Sequence, residues 1–163
     1  MLIFTYLDKI EKDIWLPKLF DILYSNMKSI APSSLTYDEE KNIWLSNVSP
    51  AIDKSPREII LCFDDDTLAG FMQYYVNGEK LVIEEVQLTD KYQRTTAFYR
   101  MCKYLCNNLP ETISSIEAYA DKRNSNSIAM MNKLGMKSEE SADATPYLHF
   151  KGTTEILRKV LSK

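Results

Sequence analysis

The sequence predicts a mixed α/β domain of the α+β kind, a mostly antiparallel central sheet with helices on both faces. Three observations predict it. The apolar runs "LAGFMQYYV" and "KLVIEEVQL" flank Asn77-Gly78, and both of those residues tolerate positive φ, so the pair closes a tight hairpin. Residues 14–27 repeat apolar side chains at helical spacing. After the hairpin the pattern switches to helix, strand, helix, which adds a crossover strand to a sheet begun by hairpins.

Each element has its own signal. "LIFTYL" reads as the opening strand. Trp15, Leu16, Leu19, Phe20, Ile22, Leu23 and Met27 mark the first helix; Pro17 suits only a first turn, so the helix is expected to start near it. In "TYDE", Thr36 and Glu39 form a capping box for a second helix carrying Ile43, Trp44 and Leu45. "NVSPAIDKSPRE" is expected to break regular structure twice, at its prolines. "REIILCF" is a strand, ended by the acidic turn "DDDT" with its charges in water.

Ala97, Met101 and Leu105 then form the apolar stripe of a helix over residues 95–106, stopped by Asn107-Asn108 and Pro110. "TISSIEAYA" is a strand, and "RNSNSIAMMNKLG" a helix with Asn124 or Ser125 as N-cap and Gly135 as its stop. Strands at "MKSEES" and "YLHFK" and a helix from about Thr154 complete the chain. No internal repeat divides it, and residues 1–163 are expected to form one domain.

Composition narrows the function. At 163 residues, 45% hydrophobic and 26% charged, the chain has the make-up of a soluble domain with a real core. No apolar run spans a bilayer, and "MLIFTYLDKIEKD" lacks the basic start and cleavage site of a signal peptide. A cytoplasmic protein with no membrane partner is expected. A net charge of −3 argues against nucleic acid as a partner, but leaves room for one small anion held by backbone amides. Three cysteines without secretory signals imply reduced thiols. Cys102 and Cys106 stand at helical i, i+4 spacing, but a single histidine and no second cysteine pair speak against a metal.

Two local patterns carry chemistry. "VQLTDKYQRTTAF" runs from a strand, Val86-Gln87-Leu88, through a polar bend into a helix. Backbone N–H groups at such a turn can hold a phosphate, usually with glycine there; this turn has none. "NSNSIAMMNKLGM" is the second.

In this order and spacing, the two patterns resemble the Gcn5-related N-acetyltransferase (GNAT) superfamily, from about Arg57 to Met136, and the N-terminal helix pair fits its layout. The family's loop reads Gln/Arg-x-x-Gly-x-Gly/Ala. Gln93 matches its start, while Thr96 and Phe98 stand at the glycine positions; a start at Arg94 instead puts Ala97 and Tyr99 there. In the second pattern Asn124, Lys133 and Gly135 match, Ser127 replaces alanine and Met136 phenylalanine. The tyrosine that often protonates the departing CoA thiolate falls on Met131, and methionine has no proton to donate.

The resemblance implies a GNAT-like sheet with a splayed strand and acetyl-CoA as co-substrate. The implied function is an acyl-CoA-dependent N-acyltransferase passing the acyl group directly to an amine of a small molecule or peptide. It implies that the Leu88 backbone N–H polarises the acyl carbonyl. Val86, Leu88, Gln93, Arg94, Thr95, Thr96, Ala97, Phe98, Asn124 and Met131 are the implied cofactor-binding positions. Thr95 and Thr96 offer hydroxyl donors and Arg94 a positive charge. If Phe98 packs inward, the loop amides stay free; if not, it crowds a pyrophosphate. The alternative is a catalytically inactive GNAT-fold domain that binds a ligand or protein partner, and the absent glycines and tyrosine keep it open. A monomer or homodimer fits either.

Glu84 and Glu85 are neighbours on the strand and are expected to face opposite sides, Glu84 with Val86 and Leu88, Glu85 with Gln87. One of them deprotonates the amine, or both are ordinary solvated or paired carboxylates. Tyr147 and His149 share a face of the last strand and either line the acceptor pocket or simply pack there. Tyr24 and Trp44, with Asn26, are the helix-pair residues expected beside the acceptor; the same stripe also reads as core.

Overall fold

A computed structural model describes residues 1–54, 56–139 and 144–163. The chain runs β1 (Leu2–Tyr6), a 3-10 turn at Lys9–Glu11, α1 (Lys12–Met27), α2 (Tyr37–Lys54), β2 (Arg57–Asp64), β3 (Thr67–Asn77) and β4 (Lys80–Leu88). It continues through α3 (Ala97–Asn108), β5 (Ser115–Asp121), α4 (Ser125–Lys133), β6 (Lys137–Glu139), β7 (Tyr147–Thr153) and α5 (Thr154–Leu161). The strands form one mixed sheet in the order β1-β2-β3-β4-β5-β7-β6. Among the described residues β4 and β5 are its parallel pair, and every other neighbouring pair is antiparallel.

Two helix boundaries differ from the sequence reading, both because proline is tolerated inside a helix at the loss of one hydrogen bond. Asp8 caps the 3-10 turn by accepting from the Ile10 N–H at 3.0 Å, and that turn leads directly into α1, so Pro17 lies inside the helix. Similarly, α2 does not break at Pro50 but continues to Lys54, with Ile52 buried to hold the turn beyond it. The second expected break, at Pro56, forms as read, since α2 ends at Lys54 and β2 begins at Arg57; Ser55 beside it lies outside the described residues, as do Glu140 and Ser141 of the "MKSEES" strand. The capping box forms as expected: Glu39 Oε2 accepts from the Thr36 N–H at 2.7 Å, and Thr36 Oγ1 from the Glu39 N–H at 3.3 Å.

Strand alternation sorts the core into two layers. Ile59, Leu61 and Phe71 face α1 and α2, packing with Leu16, Leu19 and Ile52. Ile60, Cys62, Met72 and Phe150 face the other side, with Met101 and Leu105 of α3 and Leu157 of α5. Cys102 and Cys106 belong to this second layer as buried free thiols.

Two irregularities in β4 shape the middle of the sheet. The strand pairs with β5 only from Lys80 to Ile83, against Ser115 to Ala118. Beyond that point β4 stays with β3 to Leu88, while β5 stays with β7 to Asp121, so the two strands part. In addition, the register against β3 slips between Gln73 and Tyr74, which leaves Glu84 as an extra residue. Such a bulge re-aims side chains. Glu84 and Glu85 therefore do not take opposite faces. Glu84 meets Gln73, and Glu85 meets Gln87, which is bonded to Asn26 of α1; Val86 and Leu88 pack in the α3 layer.

Candidate active site

The parting of β4 and β5 opens into a cavity of about 410 Å³. The end of α1 (Asn26, Met27) with Ile30 of the turn after it, the end of β4, the loop over residues 93–95, the first turn of α3 and the inner side of α4 line it. Leu88 stands opposite Gly70. The next residue, Thr89, gives its N–H to Ala69 at 2.9 Å, so the alternation of an antiparallel ladder turns the N–H of Leu88 away from β3 and into the opening. Gly70 permits the close approach, since a Cβ there would lie 2.3 Å from the Gln87 carbonyl oxygen.

The loop meets the cavity with free donors. Phe98 turns inward and is buried with Met101 and Leu105. The backbone N–H groups of Arg94, Thr95, Thr96, Phe98 and Tyr99 have no acceptor among the described residues. Thr95 braces the bend, donating to the Tyr92 carbonyl at 2.7 Å and accepting from the Ala97 N–H at 3.1 Å. Arg94 takes the positive φ of 62° that glycine usually supplies. The loop is anchored from behind, where Tyr92 donates to Asp64, whose carboxylate also binds Lys91 and the chain's amino group. Those three hydrogen bonds hold Asp64 well below the usual carboxylate range. The acidic turn is thus a tether, and Asp64 does not simply keep its charge in water.

On the opposite wall, Asn124 caps α4 by accepting from the Ser127 N–H at 3.1 Å. Asp121 braces the preceding turn with hydrogen bonds from the guanidinium and backbone N–H of Arg123, which bring its carboxyl down to about 2. Met131 and Lys133 reach the cavity from α4.

Eight of the expected cofactor positions line this space: Val86, Leu88, Gln93, Arg94, Thr95, Phe98, Asn124 and Met131. Thr96 is exposed at the helix start and Ala97 is buried beneath it. Glu84 lies on the sheet face, gripped by Arg57 at 2.9 Å and by Gln73 at 2.8 Å. Glu85 sits behind Gln87; desolvation pushes its carboxyl up to about 7, Glu84 adds to the rise, and the Gln87 amide opposes it. Tyr24 and Trp44 line a second groove, of about 310 Å³, between α1 and α2, which meets the first at Met27. Tyr147 and His149 line neither. His149 is paired across the sheet with Tyr119, stacks on its ring at 4.5 Å and approaches Glu117 at 3.1 Å.

Gln87, Gly70 and Lys133 were not read from the sequence as site residues, and Asn26 only as a neighbour of the acceptor. A signal existed for two of them. Asn26 continues the stripe of Leu19 and Ile22 at helical spacing, a polar residue on a buried face, and glycine inside a strand often marks a close approach.

A mixed sheet parted between its fourth and fifth strands, with a donor-rich strand-to-helix loop at the parting, is the GNAT acetyltransferase fold. Solved structures agree. The PaiA N-acetyltransferase of Thermoplasma acidophilum, in complex with coenzyme A, superposes with a TM-score of 0.69 at 15% identity, over 94% of this chain and 99% of its own. A GNAT acetyltransferase of Staphylococcus aureus Mu50 gives 0.74 at 9% identity, over 94% and 99%. An aminoglycoside 6'-N-acetyltransferase complexed with coenzyme A gives 0.69 at 14%, over 93% and 97%. No family model and no curated protein matches the sequence. Among the described residues no helix is long and apolar enough to cross a membrane, and no group of three His, Cys, Asp or Glu is placed to hold a metal.

Proposed function

We propose that this chain, as a single domain, is an acyl-CoA-dependent N-acyltransferase that uses acetyl-CoA and passes the acyl group directly to an amine of a small molecule or peptide. One observation carries this reading. Leu88, whose N–H is turned away from β3, lines the same cavity as Arg94, Thr95, Phe98 and Tyr99, whose amides have no acceptor among the described residues, as a thioester and its pyrophosphate would require. That two structures of this fold hold coenzyme A supports it.

The residues fit such a ligand. The amides of residues 94–96, 98 and 99, at the positive end of α3, suit a pyrophosphate, and Arg94 and Lys133 add positive charge. Acetyl-CoA, when bound, supplies an acyl group activated as a thioester. Leu88 N–H then donates to the acyl oxygen as negative charge gathers there, the preorganised stabilisation that lowers such barriers most. The amine reaches the parting from the side of α1 and α2, where Tyr24 and Trp44 border the second groove. Glu85, on that same side, takes its proton directly or through water; a carboxyl titrating near 7 is matched to this task at neutral pH. Met131 gives the leaving thiolate no proton.

Calorimetric titration with acetyl-CoA, followed by CoA release with a broad amine panel, tests the reading. Binding with amine-dependent release is the expected result. Binding without release would point to a ligand-binding domain that does no chemistry. No heat at millimolar acetyl-CoA would remove the ligand altogether.

A further inference from the structure

Side-chain amides at the parting of the strands form one directed chain. Gln93 Nε2 donates to Asn26 Oδ1 at 2.9 Å. Asn26 Nδ2 donates to Gln87 Oε1 and to the Leu88 carbonyl, each at 2.8 Å. Gln93 Nε2 reaches that same carbonyl at 3.0 Å, and Gln87 Nε2 donates to Glu85 Oε1 at 2.6 Å. Asn26 is the junction, and it is the member supplied by α1, from its last turn.

Leu88 occupies a position where the ladder leaves both its N–H and its C=O pointing off the same edge of β4. An unpaired carbonyl there would be a costly half-buried acceptor. Its negative end would also lie beside the point where charge gathers on an acyl oxygen. Two amide donors engage it. They offset that charge and hold the residue's rotation, so the neighbouring N–H points one way.

We infer that Asn26 is a positioning residue: it holds Leu88 in the orientation from which its N–H meets the acyl oxygen, and it ties Gln93 of the loop to the same point. It touches no reacting atom. The consequence for rate rests on the acyl-transfer reading; the geometry does not.

Two variants test it. Asn26→Ala removes every bond, whereas Asn26→Asp keeps the shape and the acceptor for Gln93 but turns an oxygen toward the Leu88 and Gln87 oxygens. In ligand-free protein, the Leu88 carbonyl carbon and the Gln93 side-chain amide resonances are expected to move in both variants, while resonances of β1 and β2 stay in place. Turnover should fall by about 10- to 100-fold, further in Asn26→Asp than in Asn26→Ala, with acetyl-CoA affinity held within about threefold. Unmoved Leu88 and Gln93 resonances in a folded variant overturn the inference. So does a fall in acetyl-CoA affinity as large as the fall in turnover, or an Asn26→Asp variant as active as the unaltered chain. If the unaltered chain neither binds nor turns over acetyl-CoA, the acyl-transfer reading has failed, and the resonances alone decide whether Asn26 orders Leu88.

Discussion

Glu85 illustrates how one residue's setting creates a measurable property. Its folded carboxyl titrates near 7 against an ordinary value of 4.5, chiefly because it is desolvated. Between these values the folded chain keeps a proton that the unfolded chain releases, so this group's contribution to stability is fully present below about 4.5 and lost as pH rises through about 7. Glu85→Gln should remove that dependence and raise stability at pH 8 by on the order of 1–3 kcal/mol, readable by urea melts at pH 4.5 and 8. The same variant should lose the rise in turnover around neutral pH. An unchanged pH–rate profile would exclude Glu85 as the base. Gly70 makes the complementary point, that an absent side chain can position a present one. In Gly70→Ala the new Cβ would fall 2.6 Å from Leu88 Cδ2 as well as against the Gln87 carbonyl. Overpacking of this kind should cost about 1–3 kcal/mol and displace Leu88. Thermal melting and turnover check both effects, and a variant of full stability and rate would show that β4 has slack there.

At the level of a single element, the loop between β4 and α3 shows how a helix start can present free amides without glycine. Its bend is held by side chains in place of backbone freedom: Thr95 bonds both ends of it, and Tyr92 is tied to Asp64 behind it. Thr95→Ala should therefore cost about 1 kcal/mol, in line with the loss of a helix cap, and weaken acetyl-CoA binding in calorimetry. Equal affinity in variant and parent would mean that the loop's shape does not depend on that hydroxyl. Phe98, which would crowd a phosphate if it faced outward, serves the opposite end, since its burial in the α3 layer leaves the amides uncrowded. The sequence placed the loop between the right strand and helix, because both patterns are local. The rotamer of Phe98 was not legible there, because it depends on which core layer lies beneath.

Across the molecule, the buried core of the α1–α2 layer stands apart from the cavity, whereas the α3 layer lends it Leu88, Phe98 and Met131. Phe71 lies in the α1–α2 layer, fully buried and clear of the cavity. Phe71→Ala should cost about 3–5 kcal/mol in chemical denaturation, while any folded fraction keeps its acetyl-CoA affinity. Affinity lost in step with stability would mean that the layer also sets the site. The element order, the Asn77-Gly78 hairpin, the capping box at Thr36 and Glu39 and the Asn124 cap are written in the sequence, since each depends on residues within a few positions of one another. Pro17 and Pro50 misled for the same reason: local rules bound helices that the 3-10 turn and Ile52 carry through, whereas Pro56 does separate α2 from β2. Tertiary structure was needed to show that the bulge brings Glu84 and Glu85 to one side. It was needed equally for the parting of β4 and β5 beyond Ile83, for the reach of Asn26 to the Leu88 carbonyl and for the packing of His149 on Tyr119 away from the cavity. These depend on register and on contacts between segments far apart in the chain, and no local pattern of residues encodes them.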